Sequence, residues 1–120
     1  MKIYFGHSSD MDYKKLYGII KNLDLNHDII LPHDFSKEPF SSKEIMKNID
    51  LFVAEVSMPS TGLGIELAWA KDVGIPIVFL RKKGSRFSDC LKFISDNFVE
   101  YLGEEDLIEK FLDIVSQQSS

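Results

Sequence analysis

Apolar residues along the chain switch repeatedly between short strand-like runs and longer helical stripes. Lys2 to Phe5 (KIYF) reads as a first strand. Between Asp10 and Leu23 the residues Leu16, Ile19, Ile20 and Leu23 fall at i, i+3, i+4 and i+7, one face of an amphipathic helix. His27 to Leu31 reads as a second strand stopped by Pro32. Ser41-Ser42-Lys43-Glu44 then opens a short helix with a capping-box pattern, Ser41 as N-cap and Glu44 three residues later. Asp50 to Ser57 (DLFVAEVS) is almost continuously apolar, as a strand covered on both faces must be, and Pro59 marks its end.

After a Ser60-Thr61-Gly62-Leu63-Gly64 loop a helix runs to about Val73, ended by Gly74, and Pro76 to Leu80 forms another buried strand. Arg81-Lys82-Lys83-Gly84-Ser85-Arg86 reads as a solvated connection. A weaker helix near Ser88 to Ile94, a short strand at Phe98 to Tyr101 and a helix from about Glu104 to Val115 follow, with a frayed Gln-Gln-Ser-Ser tail. Strands alternating with helices predict an α/β fold: a five-stranded parallel sheet with helices on both faces, a Rossmann-like three-layer sandwich of flavodoxin-like order, forming a single domain over residues 1–120. Ligands of such sheets bind beyond the carboxyl ends of the strands. That points to Gly6 to Asp10, Pro32 to Phe35, Ser57 to Glu66 and Arg81 to Ser88.

Composition narrows the classes. The 120 residues are 44% hydrophobic and 28% charged, which suits a globular chain able to bury one core. Cys90 is the one cysteine and cannot close an internal disulfide, and no Cys/His cluster has zinc spacing, so a cytoplasmic setting without a metal or cofactor is expected. No apolar run approaches the ~18 residues of a membrane helix, and MKIYFGHSSD lacks the features of a secretory leader. Fourteen Lys and Arg against nineteen Asp and Glu give a net charge of −5, which disfavours a broad grip on nucleic-acid polymers. A small anionic ligand stays open, because a helix N-terminus and a few local cations suffice for a phosphate.

The densest candidate chemistry lies in Ser57 to Glu66. A buried strand ends, Pro59 turns the chain, and Gly62 and Gly64 let a ligand approach the backbone where a helix begins with unpaired N–H groups. Ser60 has two readings, a hydroxyl donor to an anion or the N-cap of that helix. The fragment is neither a Walker loop nor GxGxxG. Glu66, about one turn into the helix among Leu63, Ile65, Leu67 and Trp69, is either a first-turn acid favoured by the helix dipole or a reactive carboxylate. Glu55 inside an apolar strand must be hydrogen-bonded near the strand end, a structural role. Tyr4 either packs or holds a carboxylate through its hydroxyl. His7 and His33 follow strands and titrate near neutral pH, although a loop histidine is ordinarily solvated. Arg81 to Arg86 is the best local source of positive charge. A phosphoacceptor receiver domain is excluded, because the third strand ends Glu-Val-Ser and the first loop is Gly6-His7-Ser8.

Asp50-Leu-Phe-Val-Ala-Glu-Val-Ser-Met-Pro-Ser-Thr-Gly-Leu-Gly-Ile-Glu-Leu-Ala-Trp-Ala70, with Gly74-Ile-Pro-Ile-Val-Phe-Leu80 and Lys2-Ile-Tyr-Phe-Gly-His-Ser8, closely resembles the nucleoside 2-deoxyribosyltransferase family, in particular its branch that hydrolyses 2′-deoxynucleoside 5′-monophosphates. The resemblance implies attack on an N-glycosidic bond with retention, the glutamate at Glu66 adding to C1′ and the tyrosine at Tyr4 orienting it. It also implies a substrate pocket around Gly6, His7, Ser8, Pro59, Ser60, Gly62 and Gly64, with phosphate contacts at Ser8, Ser60 and Gly62. Transferases of the family tend to carry aspartate at the Ser60 position, and serine there tolerates a phosphate that aspartate would repel.

Three departures stand out. Ser42 occupies the place of the usual acid that protonates the leaving base, leaving His33 or Asp34 to supply the proton. His7-Ser8-Ser9-Asp10 replaces Gly-Ser-Ile-Arg, so a phosphate arginine is missing. A serine contributed in the family by the neighbouring subunit has Ser88 or Cys90 as counterparts, and the resemblance accordingly implies a homodimer or higher homo-oligomer. The expected ligand is a small nucleotide or nucleoside, with no nucleic-acid polymer and no membrane as partner. The alternative is a nucleotide-binding sensor domain with little or no turnover, motivated by Ser42.

Overall fold

A computed structural model describes residues 1–23, 26–32 and 43–119. Five strands form one sheet: β1 (Lys2–Gly6), β2 (Asp28–Ile30), β3 (Leu51–Glu55), β4 (Ile77–Lys82) and β5 (Phe98–Tyr101). All neighbours are parallel and the order is β2-β1-β3-β4-β5, the flavodoxin-like arrangement expected. The helices are α1 (Lys14–Asn22), α2 (Lys43–Met46), α3 (Thr61–Val73) and α4 (Glu104–Ser119), with a 3₁₀ turn at Asp89–Phe93. The switch point lies between β1 and β3, whose carboxyl ends feed chains to opposite sides of the sheet.

Strand alternation sorts the core into two layers. Ile3 and Phe5, Leu51 and Val53, and Val78 and Leu80 face α1 and α4, meeting Leu16, Ile20, Leu107 and Phe111. Tyr4, Phe52, Ala54, Ile77 and Phe79 face the other way and meet Met46 of α2 and Leu63, Leu67 and Ala70 of α3. Gly6 continues the second face at the end of β1. A Cβ there would sit 2.6 Å from a ring carbon of Phe52 and 2.8 Å from a methyl carbon of Leu63. Gly6→Ala is therefore expected to lower stability by roughly 1–3 kcal/mol, read as a lower urea midpoint at unchanged slope, because two core side chains must shift.

Several boundaries differ from the periodic reading. α1 starts at Lys14 instead of Asp10, because Ser8 to Met11 form a turn in which Ser8 accepts from the Met11 amide at its carbonyl (3.1 Å) and from the Asp10 amide at Oγ (3.2 Å). Arg81 and Lys82 belong to β4, paired with Glu100 and Tyr101, and not to a solvated loop. The Ser88 to Ile94 helix is a 3₁₀ turn capped by Ser88, and α4 carries the expected frayed tail in helix to Ser119. Ser41 of the capping box lies outside the described residues, while Glu44 pairs with Lys47 at 3.2 Å. Among the described residues no helix is long and apolar enough to cross a membrane.

Candidate active site

One helix start supplies the half of the candidate site with the donors to receive an anion. β3 ends at Glu55 and the chain turns through the exposed Met58 and Pro59 into α3. Ser60 is extended, at φ −151° and ψ 124°, and its Oγ accepts from the Leu63 amide at 3.2 Å, so Ser60 is the N-cap. The Gly64 amide donates to the Ser60 carbonyl at 3.0 Å. The Thr61 and Gly62 amides, at the first two helical positions, find no acceptor among the described residues. A Cβ at Gly62 or Gly64 would meet nothing within 4 Å, so packing does not demand glycine there, and its effect is to keep the space over those amides open. Two unpaired amides, the positive end of the helix dipole and a hydroxyl with a proton still to donate make a place for an anion.

The other half is a carboxylate. Glu66 is half-buried on α3, where Leu63 and Leu67 turn into the sheet and Ile65 turns out to solvent. The Tyr4 hydroxyl, rising from the middle of β1, donates to Glu66 Oε2 across a sequence separation of 62 residues. Tyr4 is fully buried and its ring tilts against Phe52 of β3 with centroids 5.0 Å apart. Packing fixes the ring, the ring fixes the hydroxyl, and the hydroxyl fixes one carboxylate oxygen.

No family model matches the chain. It is 33% identical to a protein of Syntrophotalea carbinolica named "Putative 2'-deoxynucleoside 5'-phosphate N-hydrolase 1", over 71% of each chain. The chain belongs to the nucleoside 2-deoxyribosyltransferase-like family. The solved CMP N-glycosidase BcmB of Clostridium botulinum superposes on this family member with a TM-score of 0.68 at 20% identity, covering 92% of this chain and 98% of that one. A conserved protein from Enterococcus faecalis V583 does so with a TM-score of 0.58 at 22% identity, covering 91% and 95%. At those identities the likeness is one of fold.

In this deoxyribosyltransferase-like chain Pro59, Ser60, Gly64 and Ser88 line one cleft of about 400 Å³ beside the start of α3, with Met58, Leu91 and Ile94 as apolar walls. Ser88 accepts from the Cys90 amide at 3.4 Å, and Cys90 is exposed. Gly6 sits under Leu63. His7 and Ser8 are buried, not solvated. His7 Nδ1 donates to the Ser8 carbonyl (2.8 Å), its Nε2 bonds the Tyr17 hydroxyl (2.6 Å), and its ring packs among Phe5, Tyr13 and Tyr17 on the α1 side. His33, Asp34 and Ser42 lie outside the described residues. Among those described, no group of three or more His, Cys, Asp or Glu is placed to hold a metal ion.

Within the expected reservoir of positive charge, Arg81 is already committed. The Arg81 guanidinium donates to the Ser85 carbonyl at 3.1 Å, lies 3.8 Å from Glu100 and stacks 4.6 Å from the centre of the Phe87 ring. Glu55 has the hydrogen-bonded role its burial requires, and its partner, Tyr101, is the residue that sequence reasoning missed: the Tyr101 hydroxyl donates to Glu55 Oε2 at 2.8 Å. Burial, and then the neighbouring Glu55 charge, push that hydroxyl well above the usual tyrosine range. The signal that could have found it was Glu55 itself, a carboxylate in an apolar strand that needed a donor.

Proposed function

We propose that this protein cleaves the N-glycosidic bond of a 2′-deoxynucleoside 5′-monophosphate with Glu66 as nucleophile. The observation that carries this reading is the hydrogen bond from Tyr4 to Glu66, set about one helical turn beyond the open Gly62 amide and under two turns beyond the N-cap Ser60. One turn of helix is about 5.4 Å, comparable with the span between a 5′-phosphate and C1′ across a deoxyribose. The names of the Syntrophotalea N-hydrolase and the Clostridium CMP N-glycosidase point to the same bond.

The phosphate sits on the amides of Thr61 and Gly62 and the Ser60 hydroxyl, which leaves the sugar over α3. The Glu66 carboxylate adds to C1′ as the C1′–N bond breaks. The bonding pair leaves with the base, which takes a proton from a general acid. Water then attacks C1′ of the glycosyl ester, its proton is removed, and 2-deoxyribose 5-phosphate departs as the carboxylate reforms. The Tyr4 hydroxyl holds the carboxylate for the first step and stabilises the charge it regains in the second.

Incubation with the four deoxynucleoside 5′-monophosphates, followed by chromatography of free base, tests the reading directly. Release from at least one of them is expected, and binding without release from any would leave a sensor domain instead. Ser60→Asp sharpens the test, because aspartate caps a helix as well as serine but puts like charge against a phosphate. Affinity for the monophosphate should fall by roughly 10²-fold or more, while that for the matching deoxynucleoside holds.

A further inference from the structure

Glu55 is 4% exposed and takes no part in the chemistry above. Alternation along β3 turns it away from Glu66, onto the face that carries Leu51 and Val53. A carboxylate buried there is costly unless both oxygens find donors, and an apolar side chain of similar size would serve the core better. Both oxygens do find donors. Oε1 accepts from the Ser57 amide at 2.5 Å and Oε2 from the Tyr101 hydroxyl at 2.8 Å.

Ser57 is where the chain leaves the sheet. The preceding amide, of Val56, still bonds the Leu80 carbonyl at 2.9 Å, and Ser57 Oγ accepts from the Lys82 amide at 2.7 Å. Beyond Ser57 only the exposed Met58 and Pro59 stand before the N-cap Ser60. Glu55 thus ties the first residue of the anion-binding loop, through Tyr101, to the far strand β5.

We propose that Glu55 is a positioning residue for the substrate phosphate: by clamping the Ser57 amide it sets the entry of α3 and the aim of the Ser60 hydroxyl and the Thr61 and Gly62 amides. This rests on the phosphate site proposed above. Its role is geometric, so an uncharged acceptor of the same shape fulfils it. Glutamine at this position accepts from Ser57 through its carbonyl and donates to the Tyr101 oxygen through its amide.

The experiment is a titration of the ¹⁵N-labelled protein with 2-deoxyribose 5-phosphate, followed at the Thr61 and Gly62 amides. In the wild type these resonances shift. Glu55→Leu, with a dispersed spectrum, should bind about tenfold more weakly, while Glu55→Gln stays within about twofold of the parent. With the deoxynucleoside monophosphates the leucine variant should raise KM and leave kcat nearly unchanged. A wild type whose Thr61 and Gly62 amides do not respond removes the phosphate site itself. A wild type that responds, with a leucine variant that binds equally well, removes the positioning role alone. Should the leucine variant not fold, hydrogen exchange in the wild type decides: the Ser57 amide should exchange far more slowly than that of Met58, and equal rates would overturn the proposal.

Discussion

Replacing Glu66 by glutamine is expected to slow base release by roughly 10³-fold or more while leaving the thermal midpoint near that of the parent, because only the proposed nucleophile is removed. Glutamine has the same volume and its carbonyl still accepts from Tyr4. What it lacks is a carboxylate able to add to C1′. Two measurements check this. Chromatography of free base gives the rate, and mass spectrometry of the acid-quenched protein tests for an adduct of deoxyribose phosphate in the parent and its absence in the variant. Parental turnover by Glu66→Gln would end the covalent mechanism even if the protein proves to be a glycosidase.

Tyr4→Phe should cost roughly 10²-fold in kcat, the scale of losing alignment of a reacting group, with a smaller change in KM. The substitution deletes one oxygen at a fully buried position whose ring is already held by Phe52, so packing survives. Glu66 is half-buried, and loss of the Tyr4 hydroxyl removes the hydrogen bond that fixes its Oε2. Steady-state kinetics on the best monophosphate separate the two constants, and an unchanged kcat would show that Tyr4 only packs.

Much of the architecture was legible because its cause is local. The apolar runs at β1, β3 and β4, the Gly74 stop with φ 90° at the end of α3 and the alternation of strand and helix follow from periodicity and backbone preference. The start of α1 moved because of a local turn at Ser8 to Met11, whereas the end of β4 was decided by partners distant in sequence. Arg81 and Lys82 look like the start of a solvated run, yet pairing to Glu100 and Tyr101 draws them into the sheet. His7 looks like a loop histidine, yet three aromatic rings and the Tyr17 hydroxyl enclose it. The candidate site was legible to the same degree: Ser60 and Glu66 fall within one motif, whereas the contact of Tyr4 with Glu66 and the clamp of Tyr101 on Glu55 depend on strand order.

The bond from Tyr4 to Glu66 also bears on how the chain becomes competent. Tyr4 and Glu66 lie 62 residues apart, and they meet only once β1 has been slotted between β2 and β3 in an all-parallel sheet. Neither β1 nor α3 by itself carries a partial version of that contact. A misregistered chain therefore presents no aligned carboxylate, and the proposed catalytic geometry arrives together with native topology.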